Sequence, residues 1–316
     1  MSATVLLVGG FGNLGGRIAA HLGSSEDHHI VLASRKKQET PDWAKNAQTI
    51  QLDLTDPATF SNIPKSVNCI VQLAGTNDVD SAQNPELAHR VTTEGTAALL
   101  NNAVRNGIER FVYFSTAHVY GAPLTGHFTE TSPTNPAHPY ATTHLEAELA
   151  VGAAHNRGEI QGIRVRLSNG FGRPMTYEAA DWRTLTSDLC RQAVIEKRIE
   201  MRTDGLQERN FITKTDITRA VQHLIALPTS QISDGLFNLG GSQSQTLLAM
   251  AKMIQERAQK KSGVEIPLHR PEPTTTDIQH LKFDTRKLLD TGFLLTEDAA
   301  GEIDEFLSMI ELHHRS

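Results

Sequence analysis

Three clusters of residues have the types and spacing to do chemistry. The first is Gly9, Gly12 and Gly15, which follow an apolar, β-branched run at 4–8 and precede a segment, 16–22, with Ile18, Ala19 and Leu22 on one side. Strand, glycine turn and helix in that order make a corner for a diphosphate. The start of the helix offers unpaired backbone N–H groups and a partial positive charge. Gly9 permits the tight turn, Gly12 lets the backbone of Asn13 and Leu14 approach the phosphates, and Gly15 lets the helix pack on the strand. The spacing is GxxGxxG, one residue different from the usual GxGxxG. The second cluster is Ser34-Arg35-Lys36-Lys37, at the end of an apolar run at 30–33. The third is the polar run Ser115-Thr116-Ala117-His118-Val119-Tyr120-Gly121, behind another apolar run at 110–114.

The elements that position these clusters alternate in the manner of an α/β protein. Strands are expected at 4–8, 30–33, 49–52, 68–73, 110–114 and 162–167, and helices at 16–22, 85–106 and 140–155, the second closed by Gly107. That alternation predicts a Rossmann-type, doubly wound parallel sheet, in which ligands lie at the C-terminal ends of the strands. At the end of the second strand an acidic residue would hold the ribose 2′-hydroxyl of NAD. Ser34 and Arg35, with the lysines behind them, instead suit a 2′-phosphate, which favours NADP with NAD as the alternative. Asp53-Leu54 ends the third strand. Asp53 either accepts from an adenine amino group or caps the helical turn near 57–60. Ala74-Gly75 ends the fourth strand with small residues where backbone and cofactor can approach closely. Ser115 and Thr116 end the fifth, with hydroxyls pointing into the crevice.

After residue 168 the alternation loosens. The expected division is a dinucleotide-binding domain over 1–168 and a smaller substrate-binding lobe over 169–316, interleaved with the first. A surface loop is expected at 123–139, helices at 182–196, 215–227, 246–261 and 302–312, and strands at 199–202 and 236–239. His313 and His314 read as a solvated tail.

Composition narrows the classes. The chain has 316 residues, a formal net charge of −6 and no basic stripe, which argues against nucleic acid as a partner. Its two cysteines, Cys69 and Cys190, form neither a metal spacing nor a disulfide framework, so no metal site is expected and a reducing, cytoplasmic setting fits. No signal peptide precedes the first strand, and no apolar run approaches a membrane span.

The motifs GGFGNLG at 9–15, Asp53-Leu54, LAG at 73–75, STAHVYG at 115–121, Tyr140, RLSNGFG at 166–172, RNF at 209–211 and FNLGG at 237–241 together resemble the extended short-chain dehydrogenase/reductase superfamily. Within it they resemble the NAD(P)-dependent epimerase/dehydratase family that acts on nucleotide sugars. The resemblance implies that Tyr140 is the acid/base, that Thr116 hydrogen-bonds the reacting oxygen, and that hydride moves between the sugar C4 carbon and the nicotinamide. It also implies a homodimer through the helices at 86–106 and 140–155. An unperturbed tyrosine, with a pKa of about 10, needs a nearby positive charge to act as a base at neutral pH.

Two departures matter. The family places a lysine four residues after the tyrosine, and here that residue is His144, one helical turn along on the same face. It is either a working substitute that holds the nicotinamide ribose or the mark of a weakened, regulatory cofactor-binding site. The family's dehydratases follow the threonine with Asp-Glu, and here Ala117-His118 stands in that place. An epimerase or 4-keto reductase is therefore expected over an ordinary 4,6-dehydratase. On the substrate side the resemblance implies Asn169 and Arg209 as contacts to the diphosphate region. The alternative for Arg209 is an ion pair with Glu208 or Asp204. Arg173 is a second phosphate candidate or a solvated side chain. His118 is a substrate-side acid or a loop histidine.

Overall fold

The computed structural model describes residues 3–273 and 279–315. Seven parallel strands form its central sheet: β1 (Ala3–Val8), β2 (His28–Ser34), β3 (Gln48–Gln51), β4 (Cys69–Gln72), β5 (Arg110–Thr116), β6 (Gln161–Leu167) and β7 (Leu236–Leu239). Their order across the sheet is β7-β6-β5-β4-β1-β2-β3. The order in which the parallel strands are added reverses beside β1, and that reversal opens the crevice of a doubly wound sheet. Val5 pairs with Ile30 on one side and Cys69 on the other, so β1 is central and apolar on both faces.

The period-two alternation of strand side chains sorts the core into two layers. Val5 and Leu7 pack with α1 (Gly15–Leu22) and α4 (Lys214–Ala226) on one face. Leu6 and Val8 pack with α2 (Gly95–Arg105) and α3 (Pro139–Asn156) on the other. The helical run that ends in α2 starts at Pro85–Ala88 and passes through a π-helical turn at His89–Glu94. It stops at Gly107, whose φ of +69° suits a residue without a Cβ.

A third apolar cluster belongs to the cap. Phe171, Leu189, Met250, Ile254, Phe306 and Ile310 join α5 (Leu247–Ser262) and α6 (Ala299–Arg315) around it. Beside it, Glu208–Thr213 pairs in parallel with Asn169–Phe171 and antiparallel with Ser244–Thr246. Between these cap segments the chain returns to the main sheet twice, as α4 against α1 and as β7 beside β6. Arg17 of α1 fastens the cap, donating to Glu302 at 2.8 Å and to the Thr215 hydroxyl at 2.9 Å.

Several local expectations are corrected. The expected loop at 123–139 contains a short strand, Gly126–Phe128, paired with Leu281–Phe283, a partner too distant in sequence to be inferred. The helix expected at 182–196 begins at Leu185–Arg191 and continues as a π-helical turn, Gln192–Glu196. Its start is delayed because Asp181 captures the Arg183 N–H at 3.1 Å. The cap of the turn at Pro57–Asn62 is Asp56, not Asp53. His313 and His314 are exposed, as expected, but they lie within α6, and the ring of His313 stacks on Tyr177, centroids 3.6 Å apart. Among the described residues no helix is long and apolar enough to cross a membrane.

Candidate active site

The glycine corner sits at the C-terminal end of β1. Gly9 has φ +88°, and a Cβ there would lie 3.1 Å from the Ala74 nitrogen. A Cβ on Gly15 would lie 2.2 Å from the Gly9 carbonyl oxygen, so only glycine lets α1 start so close to the turn. Gly12 faces open space apart from that same carbonyl. The N–H groups of Gly12 and Gly16 are spent within the corner, on the Gly9 and Gly12 carbonyls. Those of Asn13, Leu14 and Gly15 have no backbone partner among the described residues, and Leu14, at the N-cap position, makes no side-chain cap bond. Three free donors at a helix start form an anion cradle.

The neighbouring strand ends surround the crevice with small or polar groups. Ala74 packs on Gly9, and a Cβ on Gly75 would lie 3.3 Å from the Thr92 hydroxyl and 3.5 Å from His144 Nε2. At the end of β2, Ser34 is half-buried and Arg35 is exposed, with no ion pair for its guanidinium among the described residues. Asp53 Oδ1 accepts from the N–H and hydroxyl of Thr55 at 2.9 and 2.8 Å. Leu54 is buried against Gly95.

Thr116 at the end of β5 and Tyr140 at the start of α3 meet above the crevice. Pro139 occupies the first turn of α3, and His138 caps it, its Nδ1 accepting from the Tyr140 N–H at 3.2 Å. The phenol of Tyr140 and the side chain of Thr116 border the same cavity and lie near enough for Thr116 to influence the phenol. Thr116 Oγ1 also accepts from the His118 N–H at 3.2 Å. Burial raises the Tyr140 pKa; the nearby Thr116 hydroxyl opposes the rise and Asp78 adds to it. The hydroxyl of Ser115, next to Thr116, is buried, borders the cavity and has no hydrogen-bond partner among the described residues.

His144 lies one turn beyond Tyr140, ring centroids 4.5 Å apart, and is buried. Its Nδ1 is 2.9 Å from the phenol oxygen of Tyr113, itself inside the core. Burial pulls the His144 pKa down to about 4, so the ring is neutral at pH 7. His144 thus places a neutral imidazole, not a cation, one helical turn from the Tyr140 phenol.

A cavity of about 520 Å³ opens from this pair toward the cap. Ser115, Thr116, His118, Tyr140, Asn169 and Arg209 all border it. Asn169 donates to the Asn210 carbonyl at 2.9 Å. Arg209 makes no ion pair with Glu208 or Asp204; Glu208 is taken by His280 at 3.1 Å. Burial lowers the pKa of the Arg209 guanidinium. His118 is pulled down by desolvation and by Arg209, while Asp78 raises it. Arg173 does not reach the cavity: its Nε donates to Glu305 at 2.9 Å on α6.

Sequence reasoning missed several residues that the fold brings here. Asp78 and Arg183 border the cavity near one another, Arg183 donating to Asn77 Oδ1 at 3.0 Å. Tyr113 had the signature of a core residue. Lys214 donates to Asn13 Oδ1 and, at 2.6 Å, to the Gly172 carbonyl.

The sheet order, the glycine corner and the tyrosine–threonine pair define an extended short-chain dehydrogenase/reductase. The chain belongs to the NAD dependent epimerase/dehydratase family, whose model matches residues 5–240. It is thus an enzyme of an NAD(P)-dependent family. Relatives include a dTDP-D-glucose 4,6-dehydratase of Mus musculus, 26% identical over 271 residues that cover 79% of this chain and 71% of that one. A UDP-glucose 4-epimerase of Oryza sativa subsp. japonica is 27% identical over 299 residues, covering 84% of this chain and 79% of its own. In fold, the chain matches a UDP-N-acetylglucosamine 4-epimerase of Methanobrevibacter ruminantium M1, solved with UDP-N-acetylmuramic acid, with a TM-score of 0.80 and 20% identity over 99% of this chain and 100% of that one.

Proposed function

We propose that this enzyme is an NADP-dependent oxidoreductase or epimerase acting at C4 of a nucleotide-linked sugar. The observation that carries the reading is that Tyr140 and Thr116 together border one cavity of about 520 Å³ beside the dinucleotide crevice. The residues present fit the cofactor. The free N–H groups of Asn13, Leu14 and Gly15 suit its diphosphate, and the buried, unpartnered Ser115 hydroxyl faces the region for its reactive end. Bound there, the nicotinamide supplies or accepts hydride.

Tyr140 exchanges the proton of the C4 oxygen, and Thr116 steadies that oxygen as charge develops on it. Burial keeps the phenol protonated at neutral pH, so Tyr140 is poised as an acid, the role a carbonyl reduction needs. Neutral His144 holds the ribose as a hydrogen-bonding group, with Tyr113 orienting its ring. Arg209, with no counter-ion among the described residues, and Asn169 face the sugar-nucleotide diphosphate from the cap. Asp53 faces the adenine, and its bonds to Thr55 leave Oδ2 for that contact. The exposed guanidinium of Arg35 supports NADP over NAD. Ala117-His118 supplies no carboxylate pair, which favours epimerisation or 4-keto reduction over the ordinary 4,6-elimination. Exposed Leu149 on α3 and Leu87 support a homodimer through these helices; sedimentation as a monomer would remove it.

A second reading, a cofactor-binding protein without turnover, is favoured by the low pKa of His144. One experiment separates the two: NADPH consumption and sugar interconversion with a panel of keto-sugar nucleotides, for the wild type and Tyr140→Phe. Turnover that falls at least about a hundredfold in the variant supports the proposal. Turnover that survives removes Tyr140 from the mechanism, and cofactor binding with no turnover at all selects the second reading.

A further inference from the structure

Lys214 is the first residue of α4, yet its side chain runs back to the glycine corner and only 5% of it is exposed. Its ammonium donates to two neutral oxygens, Asn13 Oδ1 and the Gly172 carbonyl, the latter at 2.6 Å. An ammonium has three donors, and the third has no partner among the described residues. Nor does Lys214 form an ion pair among them. The nearest carboxylates are spoken for: Glu302 is bound by Arg17 at 2.8 Å and Asp181 by Arg183 at 2.9 Å. An unpaired buried cation is costly, and such a group stays charged only if an anion joins it. The free N–H groups of Asn13, Leu14 and Gly15 lie on the turn that Lys214 grips, so an anion received there lies beside the ammonium.

We propose that Lys214 is part of the dinucleotide site, its ammonium completing from the cap side the diphosphate cradle that the glycine corner begins. This rests on the reading of that corner as the cofactor's. It makes Lys214 a charge-bearing binding residue, and it couples cofactor occupancy to the seam between corner and cap, because the same ammonium holds Gly172. Burial, with Arg17 and Arg173 adding to it, pulls the Lys214 pKa down to about 7, and Glu302 and Asp181 oppose the shift. Those four are the charged groups with the largest influence on it among the described residues. A bound diphosphate favours the protonated form, so affinity is greatest below pH 7 and falls as pH rises through that value.

The test is calorimetric titration of the full chain with NADPH, NADH and ADP-ribose from pH 6 to 8.5, for wild type, Lys214→Met and Lys214→Arg. ADP-ribose carries the diphosphate without a 2′-phosphate, so its own charge stays constant. Wild-type affinity for ADP-ribose is expected to fall with pH, by up to about tenfold per unit for one proton. Lys214→Met is expected to bind about ten- to a hundredfold more weakly near pH 6.5 and to lose the pH slope. Lys214→Arg, charged throughout, is expected to bind with a flat profile and stronger affinity than the methionine variant. If Lys214→Met is folded by its melting curve and binds ADP-ribose with wild-type affinity and slope, the proposal is wrong. If it does not fold, the arginine variant decides: retention of the wild-type slope overturns the proposal. If the wild type binds none of the three ligands, the reading of the corner itself fails and takes the proposal with it.

Discussion

Replacing His144 by lysine tests what a charge beside Tyr140 is worth. With a pKa of about 4, His144 is protonated in roughly one molecule in a thousand at pH 7. A lysine there meets the same desolvation. Burial lowers the histidine from its ordinary 6.5, and it would lower a lysine too, but a lysine starts from about 10.4 and so stays mostly charged at pH 7. At the 4.5 Å separation of the Tyr140 and His144 rings, and an effective dielectric constant of about 20, a unit charge stabilises the phenolate by about 3.7 kcal/mol, or roughly 2.7 pKa units. A lysine reaches further than an imidazole, so roughly 2 units is the working figure. The assay is the pH profile of kcat/KM in both directions, NADPH-dependent reduction and NADP-dependent oxidation. In His144→Lys the alkaline limb of reduction is expected to move down by roughly 2 units, and oxidation at pH 7 to rise by about tenfold, because a weaker base gives back part of the gain in phenolate. A folded variant that binds cofactor with an unmoved alkaline limb would refute the reasoning: the charge at 144 would then not govern Tyr140. A loss of activity in both directions would mean that the imidazole itself, held by Tyr113, has a role a lysine cannot fill.

Arg35→Ala is expected to weaken NADPH binding about tenfold or more while leaving NADH nearly unchanged, since the guanidinium meets only the 2′-phosphate; equal losses in a fluorescence titration would defeat the NADP assignment. Glu148→Ala strips the buried Arg166 guanidinium of its partner at 2.5 Å and is expected to cost about 3–5 kcal/mol in urea unfolding, whereas a loss under about 1 kcal/mol would mean the pair is already hydrated.

What was legible in the sequence is what is local. The glycine corner announces itself because the requirement for missing Cβ atoms is met within seven residues, Gly9 to Gly15, next to a strand. The parallel sheet follows from apolar strand runs alternating with helical ones, while Tyr140 and Thr116 were singled out through the family resemblance, and the fold brings both to one cavity. Arg173 illustrates the limit. Beside Gly172 it has the look of a phosphate ligand, yet Glu305, 132 positions away, takes its guanidinium. The protonation of His144 was equally out of reach, since the desolvation that sets it comes from the strand and helices packed around the ring.

Lys214 is the instructive intermediate case, because its signal was present and local. The buried positions of α4 include Ile217, Val221 and Leu224, the apolar stripe of a helix whose other face is polar. Lys214 lies on that stripe, three residues before Ile217, where a lysine has no reason to be unless something receives its charge. The stripe alone says that a buried cation exists; only the fold says that it ends 201 positions back in the chain, on the side chain of Asn13. The same logic bears on His144. Both residues are ionisable groups that burial pushes toward neutrality on the two flanks of one crevice, and a cofactor that carries anions at one flank and a reactive ring at the other is the ligand for which that arrangement has a use.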